Sequence, residues 1–227
     1  MMNKNYYSVK EDAYFSNIRM DIISVLPVNP QQKILEIGAG SGNTLSYIKE
    51  NKMAAEVMGV ELMNMAGSNQ QNNAIDHFQI ADIENESIAA PKEYFDVIIC
   101  ADVLEHLADP WMMIDKITNH LKSNGIIVVS MPNFREIKTI FKIIFTGDFR
   151  YNPAGGILDK THLRFFCKKN IRQLLTTKSL VPIYNTPNFL LKSAPDGRKR
   201  RIINRLSFGL FKNLLTVQYI FIAQKKH

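Results

Sequence analysis

Cysteine is nearly missing from this chain of 227 residues: there are two, Cys100 and Cys167, and neither belongs to a C-x-x-C pair. Thiolate zinc sites and disulfide frameworks are therefore excluded as organising devices. Cys100 sits in the apolar run "FDVIICAD", where a buried thiol behaves as a small hydrophobe. No apolar run approaches the length needed to span a bilayer. The opening stretch "MMNKNYYSVKEDAYF" carries acids and lacks the apolar centre of a secretion signal, so a cytoplasmic location is expected. Internal repeats and low-complexity segments are lacking too. Histidine is scarce, at five residues, which keeps the candidate bases few.

What is present is ordinary globular composition, with 46% hydrophobic and 22% charged residues, in a length that suits one domain with an appendage. The net charge is +7, and much of the excess lies in the C-terminal half, above all in "GRKRRIINR", Gly197 to Arg205. Such a patch attracts phosphates of nucleic acid, anionic lipid or a phosphorylated substrate. It reads equally as a solvated loop leading into a helix.

Apolar strand-like runs alternate with helical patterns. Strands are expected at 33–38, 55–61, 77–82, 95–102 and 125–132, and the last two are apolar almost throughout, as in parallel strands buried on both faces. Helices are expected at 43–52, 63–73 and 110–122 between them. An N-terminal helix is expected at 11–26, with Tyr14, Ile18, Ile22 and Val25 at helical spacing and Pro27 at its end. After the fifth strand, "REIKTIFKIIF" puts Ile137, Ile140, Phe141, Ile144 and Phe145 on one helix face. A helix at 168–179, a strand "LVPIYNTP", a basic helix at 199–214 and a closing strand "TVQYIFIAQ" complete the pattern. The expected fold is α/β: a Rossmann-like, doubly wound, seven-stranded, mostly parallel sheet with the last strand antiparallel. An N-terminal helical cap (1–30), a cofactor-binding core (31–132), a lid insertion (133–167) and a C-terminal part (168–227) would form one domain.

The stretch "KILEIGAGSGNTL" poses the chemical question. Gly38, Gly40 and Gly42 are spaced G-x-G-x-G, and Asn43 stands where a dinucleotide fingerprint has its third glycine. Tight glycine spacing lets the backbone approach a nucleoside closely. Glu61, ending the second strand, is a bidentate acceptor matched to a ribose diol, a feature of several nucleoside sites. Asp82 ends the third strand and can accept from an adenine amine.

Taken in order, "LEIGAGSG", "GVE", "AD" and "FDVIICADVLEHLADP" resemble the class I S-adenosylmethionine-dependent methyltransferases, from Lys33 to about Asn133. The resemblance implies S-adenosylmethionine as cofactor and S-adenosylhomocysteine as product. Gly38, Ala39, Gly40 and Gly42 would line the methionine and ribose side, with Glu36 near the amino group. Glu61 and Leu62 would lie at the ribose, Asp82 and Ile83 at adenine, and Ala101 and Asp102 at the methionine end. Turn and helix-cap roles stand beside these for Asp82 and Asp102.

The stretch "GGILDKTHLRFF" further resembles a branch associated with bacterial cell-surface polysaccharide synthesis. Within it Asp159 could orient His162 as a base, and Arg164 could bind a carboxylate or phosphate. Backbone capping by His162 and an Asp159–Arg164 ion pair are the structural alternatives. Asn133 and Tyr151 are candidate pocket walls. Glu105 and His106 could face substrate, position their loop, or join Asp102 and Asp109 at a magnesium ion; no catalytic metal is expected.

The implied activity is methyl transfer to a small molecule or glycan, most readily at oxygen. An RNA or protein methyltransferase is the rival enzyme reading, although no N-P-P-Y type motif follows the fourth strand and specific nucleic-acid binding is not expected. A catalytically idle scaffold is the third reading. Segments 135–145 and 199–214 read either as a lid and a sheet-covering helix or as a weak membrane-surface contact. Oligomeric state is not encoded in any pattern of the chain.

Overall fold

The computed structural model describes residues 17–153, 155–190 and 196–227. Its centre is a seven-stranded sheet formed by β1 (Lys33–Ile37), β2 (Glu56–Glu61), β3 (His77–Ile80), β4 (Phe95–Ala101), β5 (Leu121–Pro132), β6 (Leu180–Pro187) and β7 (Gln218–Lys225). The strand order is β3-β2-β1-β4-β5-β7-β6. Pairings from β3 to β5 are parallel, and β7 runs antiparallel to both of its neighbours. The expected fold class is the one found.

Strands β1, β4 and β5 are apolar on both faces because both faces are covered. One core collects Leu35, Ile98 and Val129 with Met113, Ile114 and Ile117 of α3 (Pro110–Thr118). Ile171 and Leu174 of the later helix Lys168–Leu174 belong to the same core. The opposite core collects Ile34, Val97 and Ile99 with Ile22 and Ile23 of α1 (Met20–Ile23) and Leu45 and Ile48 of α2 (Asn43–Glu50). Cys100 is fully buried between the layers, as its setting suggested.

Several expected helices come out differently. Residues 11–16 of the N-terminal helix lie outside the described residues, and the remainder is the single turn α1. The segment 63–73 holds only a 3-10 turn, Asn69–Gln71. Its polar side chains compete with helical bonding: Ser68 Oγ accepts from Gln70 N–H, and the Gln70 amide donates to the Gly40 and Met63 carbonyls. The basic helix is broken into α6 (Gly197–Leu206) and α7 (Lys212–Leu215), separated by a turn in which Phe208 and Gly209 have positive φ. The insertion after β5 contains α4 (Ile137–Thr146), and Lys168–Leu174 is α5, shorter than expected at its C-terminal end.

The register carries one consequence for the site. Pro132 pairs with Gln218, and Pro187 with Tyr219. The end of β5, the start of β7 and the end of β6 therefore lie side by side, at the sheet edge where β1 and β4 also end.

Candidate active site

A cavity of about 670 Å³ opens at this edge. Parallel strands stop together there and leave a crevice beside the switch in strand order between β1 and β4. Glu36, Gly38, Ala39, Gly40, Glu61, Leu62, Asp82, Ile83, Ala101 and Asp102 all line it. These are the cofactor-side residues named from sequence, with the exception of Gly42.

Gly42 is the N-cap of α2 and serves packing. Its φ is +80°, and a Cβ there would stand 2.8 Å from Ile75 Cδ1. It is not among the residues lining the cavity. Gly38 has φ +71°, and a Cβ on it would fall 2.3 Å from Val103 Cγ2, so the chain passes too close there for a side chain.

Three carboxylates from three successive strand ends share the crevice. Glu61 is held by backbone donors: Gly40 N–H at 2.8 Å and Leu62 N–H at 2.7 Å. Burial raises its pKa while those donors work against the shift. The glycine loop and the ribose-type acceptor are thus one hydrogen-bonded unit. Asp82 accepts from Glu84 N–H at 3.0 Å and from the Asn85 amide at 2.9 Å, so it is both a turn residue and part of the wall.

Glu36 differs from both. It is 3% exposed, and its Oε2 has no hydrogen-bond partner among the described residues. Burial pushes its carboxyl up to about 8, with Arg19 opposing and Glu61 adding to the rise. An orphaned carboxylate oxygen in a cavity wall suits a cationic ligand group, and the ammonium of a methionine moiety supplies one.

Arg19 went unnoticed in the sequence, and the fold brings it into the same wall. Its guanidinium donates to both oxygens of Asp21, each at 2.9 Å, to Ser130 Oγ at 3.0 Å and to Asp102. Asp102 also accepts from the Gln218 amide and has φ +58°. Asn188 donates to Asp21 at 2.9 Å. The methionine end expected at Asp102 is thus a network joining the N-terminal segment to β5, β7 and the turn that follows β6. Pattern offers no signal for Arg19, since its partner Asp102 lies far along the chain.

Of the residues named for substrate chemistry, the structure brings Glu105, His106 and His162 together, with Arg164 on the small cavity that Glu105 and His162 also line, and leaves Asn133 and Tyr151 apart from the large cavity. His106 lines the large cavity, and its Nδ1 lies 3.1 Å from the Thr161 carbonyl. Glu105 points the other way. It and His162 line a separate small cavity with Phe134 and Phe165, 3.9 Å apart from Oε1 to Nε2. The His106 and His162 rings meet edge-on with centroids 4.6 Å apart. Both Glu105 oxygens are buried without a hydrogen-bond partner among the described residues, and burial holds the carboxyl well above its usual range, with Asp102 adding to the rise. Glu105, His106 and His162 could together hold a metal ion, whereas Asp102 and Asp109 are not part of that cluster.

Asp159 accepts from Thr161 N–H at 2.9 Å and from its hydroxyl at 2.8 Å, which shapes the turn, and His162 Nδ1 lies 3.0 Å from the Ile157 carbonyl. Arg164 donates to the Ala108 carbonyl at 2.5 Å. Asn133 is 1% exposed, and its amide donates to the Asn213 and Thr216 carbonyls, each at 2.8 Å. It fastens the end of β5 and forms no wall of the large cavity. Tyr151 packs on Phe149 and Phe165 away from that cavity.

Comparison with known proteins agrees with this geometry. A family model described as a methyltransferase domain matches residues 15–179. The chain belongs to that methyltransferase family. Among curated relatives it is 29% identical over 125 residues to a ubiquinone biosynthesis O-methyltransferase of Glaesserella parasuis, covering 52% of each protein. It is 27% identical over 145 residues to one of Albidiferax ferrireducens, covering 61% of this chain and 56% of the other. The chain thus matches about half the length of these relatives. Its fold is that of a protein from Listeria monocytogenes described as an S-adenosylmethionine-dependent methyltransferase, with TM-score 0.63, 16% identity and coverage of 96% and 100%. A methyltransferase of the same description from Mesorhizobium loti gives TM-score 0.62, 13% identity and coverage of 89% and 95%. The branch associated with polysaccharide synthesis does not emerge among these relatives.

Proposed function

We propose that the protein is an S-adenosylmethionine-dependent methyltransferase acting on a hydroxyl of a small molecule or glycan precursor. The observation that carries this reading is the convergence of Glu36, Glu61 and Asp82, from three successive strand ends, on one cavity behind a glycine loop. The O-methyltransferase relatives support oxygen as the acceptor atom.

The cofactor supplies a methyl group on a sulfonium, already a good leaving group. The chain's residues bind and orient. Glu61 would take the ribose hydroxyls, Asp82 with Ile83 the adenine, and Glu36 the ammonium. Arg19 would face the α-carboxylate. Catalysis then rests on in-line placement of the acceptor and exclusion of water. A hydroxyl acceptor needs a proton acceptor within reach. We assign that role to His106, which borders the large cavity, and make His162 a positioning residue whose ring packs on it.

Titration calorimetry with S-adenosylmethionine and S-adenosylhomocysteine tests the cofactor; absence of binding by both defeats the reading. For the base, His106→Ala should abolish the acidic limb of the pH–rate profile. His162→Asn should lower the rate while keeping that limb. The reverse pattern would return the role to His162.

A further inference from the structure

We propose that helix α4 and the α6–α7 segment form a shallow docking face for an anionic phospholipid bilayer. No residue of α4 is buried, yet Ile137, Phe141, Ile144 and Phe145 stand on one side of it. Ile144 and Phe145 are 67% and 69% exposed, and the Phe141 and Phe145 rings lie 4.2 Å apart as one patch. An apolar helix this short draws its stability from packing, and none of the described elements buries this side.

The α6–α7 segment repeats the pattern. Ile202, Ile203, Leu206 and Leu210 are exposed, and Phe208 is wholly so. Phe208 has φ +49° and Gly209 φ +80°, in a turn closed by Gly209 N–H on the Asn204 carbonyl at 2.8 Å. A left-handed aromatic residue is costly, and here the turn thrusts that residue into solvent.

The two segments share one corner of the molecule. Arg200 of α6 and Glu136, the N-cap of α4, form a buried ion pair at 2.9 Å. The pairings Pro132↔Gln218 and Pro187↔Tyr219 bring the preceding strands together at the same edge.

Charge identifies the occupant. Asp196 is the sole acid of 196–217, against Arg198, Lys199, Arg201, Arg205 and Lys212, while Arg200 is buried against Glu136. Lys138 and Lys142 flank the apolar side of α4 and are exposed. Apolar side chains ringed by cations fit the boundary between acyl chains and anionic headgroups. A second copy of the chain would bring like charges together. Among the described residues no helix is long and apolar enough to cross a membrane, so the contact is superficial. Gln218 and Asn188, at this corner, also line the large cavity. On the methyltransferase reading, the acceptor is then an amphiphile offered from the headgroup layer.

The test is co-sedimentation of the full chain with phosphatidylcholine vesicles, with and without phosphatidylglycerol. Binding should require phosphatidylglycerol and weaken with salt. The pairs Phe141→Ser/Phe145→Ser and Phe208→Ser/Leu210→Ser should each weaken it by about tenfold or more. Because these positions are exposed, thermal unfolding and S-adenosylhomocysteine affinity should stay unchanged in both variants. Failure to bind anionic vesicles overturns the proposal, as does binding that both variants keep in full. Self-association abolished by the same substitutions, without vesicle binding, assigns the face to a second copy instead. Cofactor affinity is read separately, so failure of the membrane face and failure of the methyltransferase reading are told apart.

Discussion

The crevice at the ends of β1 to β4 and the corner built by β5 to β7 differ in the kind of surface they leave without a partner. In the crevice, strand ends deliver carboxylates: Glu61 and Asp82 are held by backbone and amide donors, while the buried Glu36 keeps an oxygen without a partner among the described residues. At the corner, Asn133 spends its amide on two carbonyls, and Arg200 is enclosed by Glu136 and the Leu215 carbonyl. Apart from the buried Asn204 Oδ1, what the corner leaves unsatisfied is apolar surface. One region is poised for a small polar ligand and the other for an extended apolar one, because each keeps exposed or orphaned the chemistry that its partner would supply.

Breaking the corner should cost most. Arg200→Ala strands the Glu136 carboxylate in a buried site and should lower folding stability by about 3–5 kcal/mol. Denaturant unfolding reads this, and affinity of the folded fraction for S-adenosylhomocysteine should change little. Breaking the crevice should do the reverse. Glu61→Ala should weaken cofactor binding by about 2–3 kcal/mol, from the loss of two charge-assisted hydrogen bonds. A mutant that binds normally in calorimetry would remove Glu61 from the ribose site.

Gly42→Ala separates packing from binding within the crevice. Its left-handed φ and the contact with Ile75 predict a stability loss of about 1–2 kcal/mol. Cofactor affinity should move far less than in Glu61→Ala.

Glu36 gives a pH test. Burial lifts its carboxyl to about 8 from an ordinary 4.5. Between these values the folded protein keeps a proton that the unfolded chain has released. Stability of the unliganded protein should therefore fall as pH rises through that window, by up to about 1.4 kcal/mol per pH unit. Glu36→Gln should flatten this dependence. A bound ammonium favours the ionised form, so cofactor binding near neutral pH should release protons. Calorimetry in buffers of different ionisation enthalpy measures that release, and no release would place the ammonium elsewhere.

The two regions were also unequally legible. Glu36, Glu61, Asp82 and Ala101 each sit in or just after an apolar run, so local pattern sufficed to put them at strand ends, and parallel strands end together. Arg19 could not be found that way, because its position depends on the pairing with Asp102 and Asp21 across the sheet edge. The helix expected over 63–73 is a loop with one 3-10 turn, since Ser68 and Gln70 bond to backbone first. Residues 199–214 carry the pattern of one helix, but the turn at Phe208 and Gly209 divides it.

The strands, their two-sided burial, the glycine turn and the acids that follow it were all readable along the chain, since near neighbours and period set them. Folding had to be seen before His106 could be placed at the large cavity with His162 behind it, Gly42 recognised as a packing residue, and Asn133 as a fastener. Those outcomes depend on which distant groups meet. The direction of a side chain in a loop follows from such meetings, and spacing along the chain does not encode them.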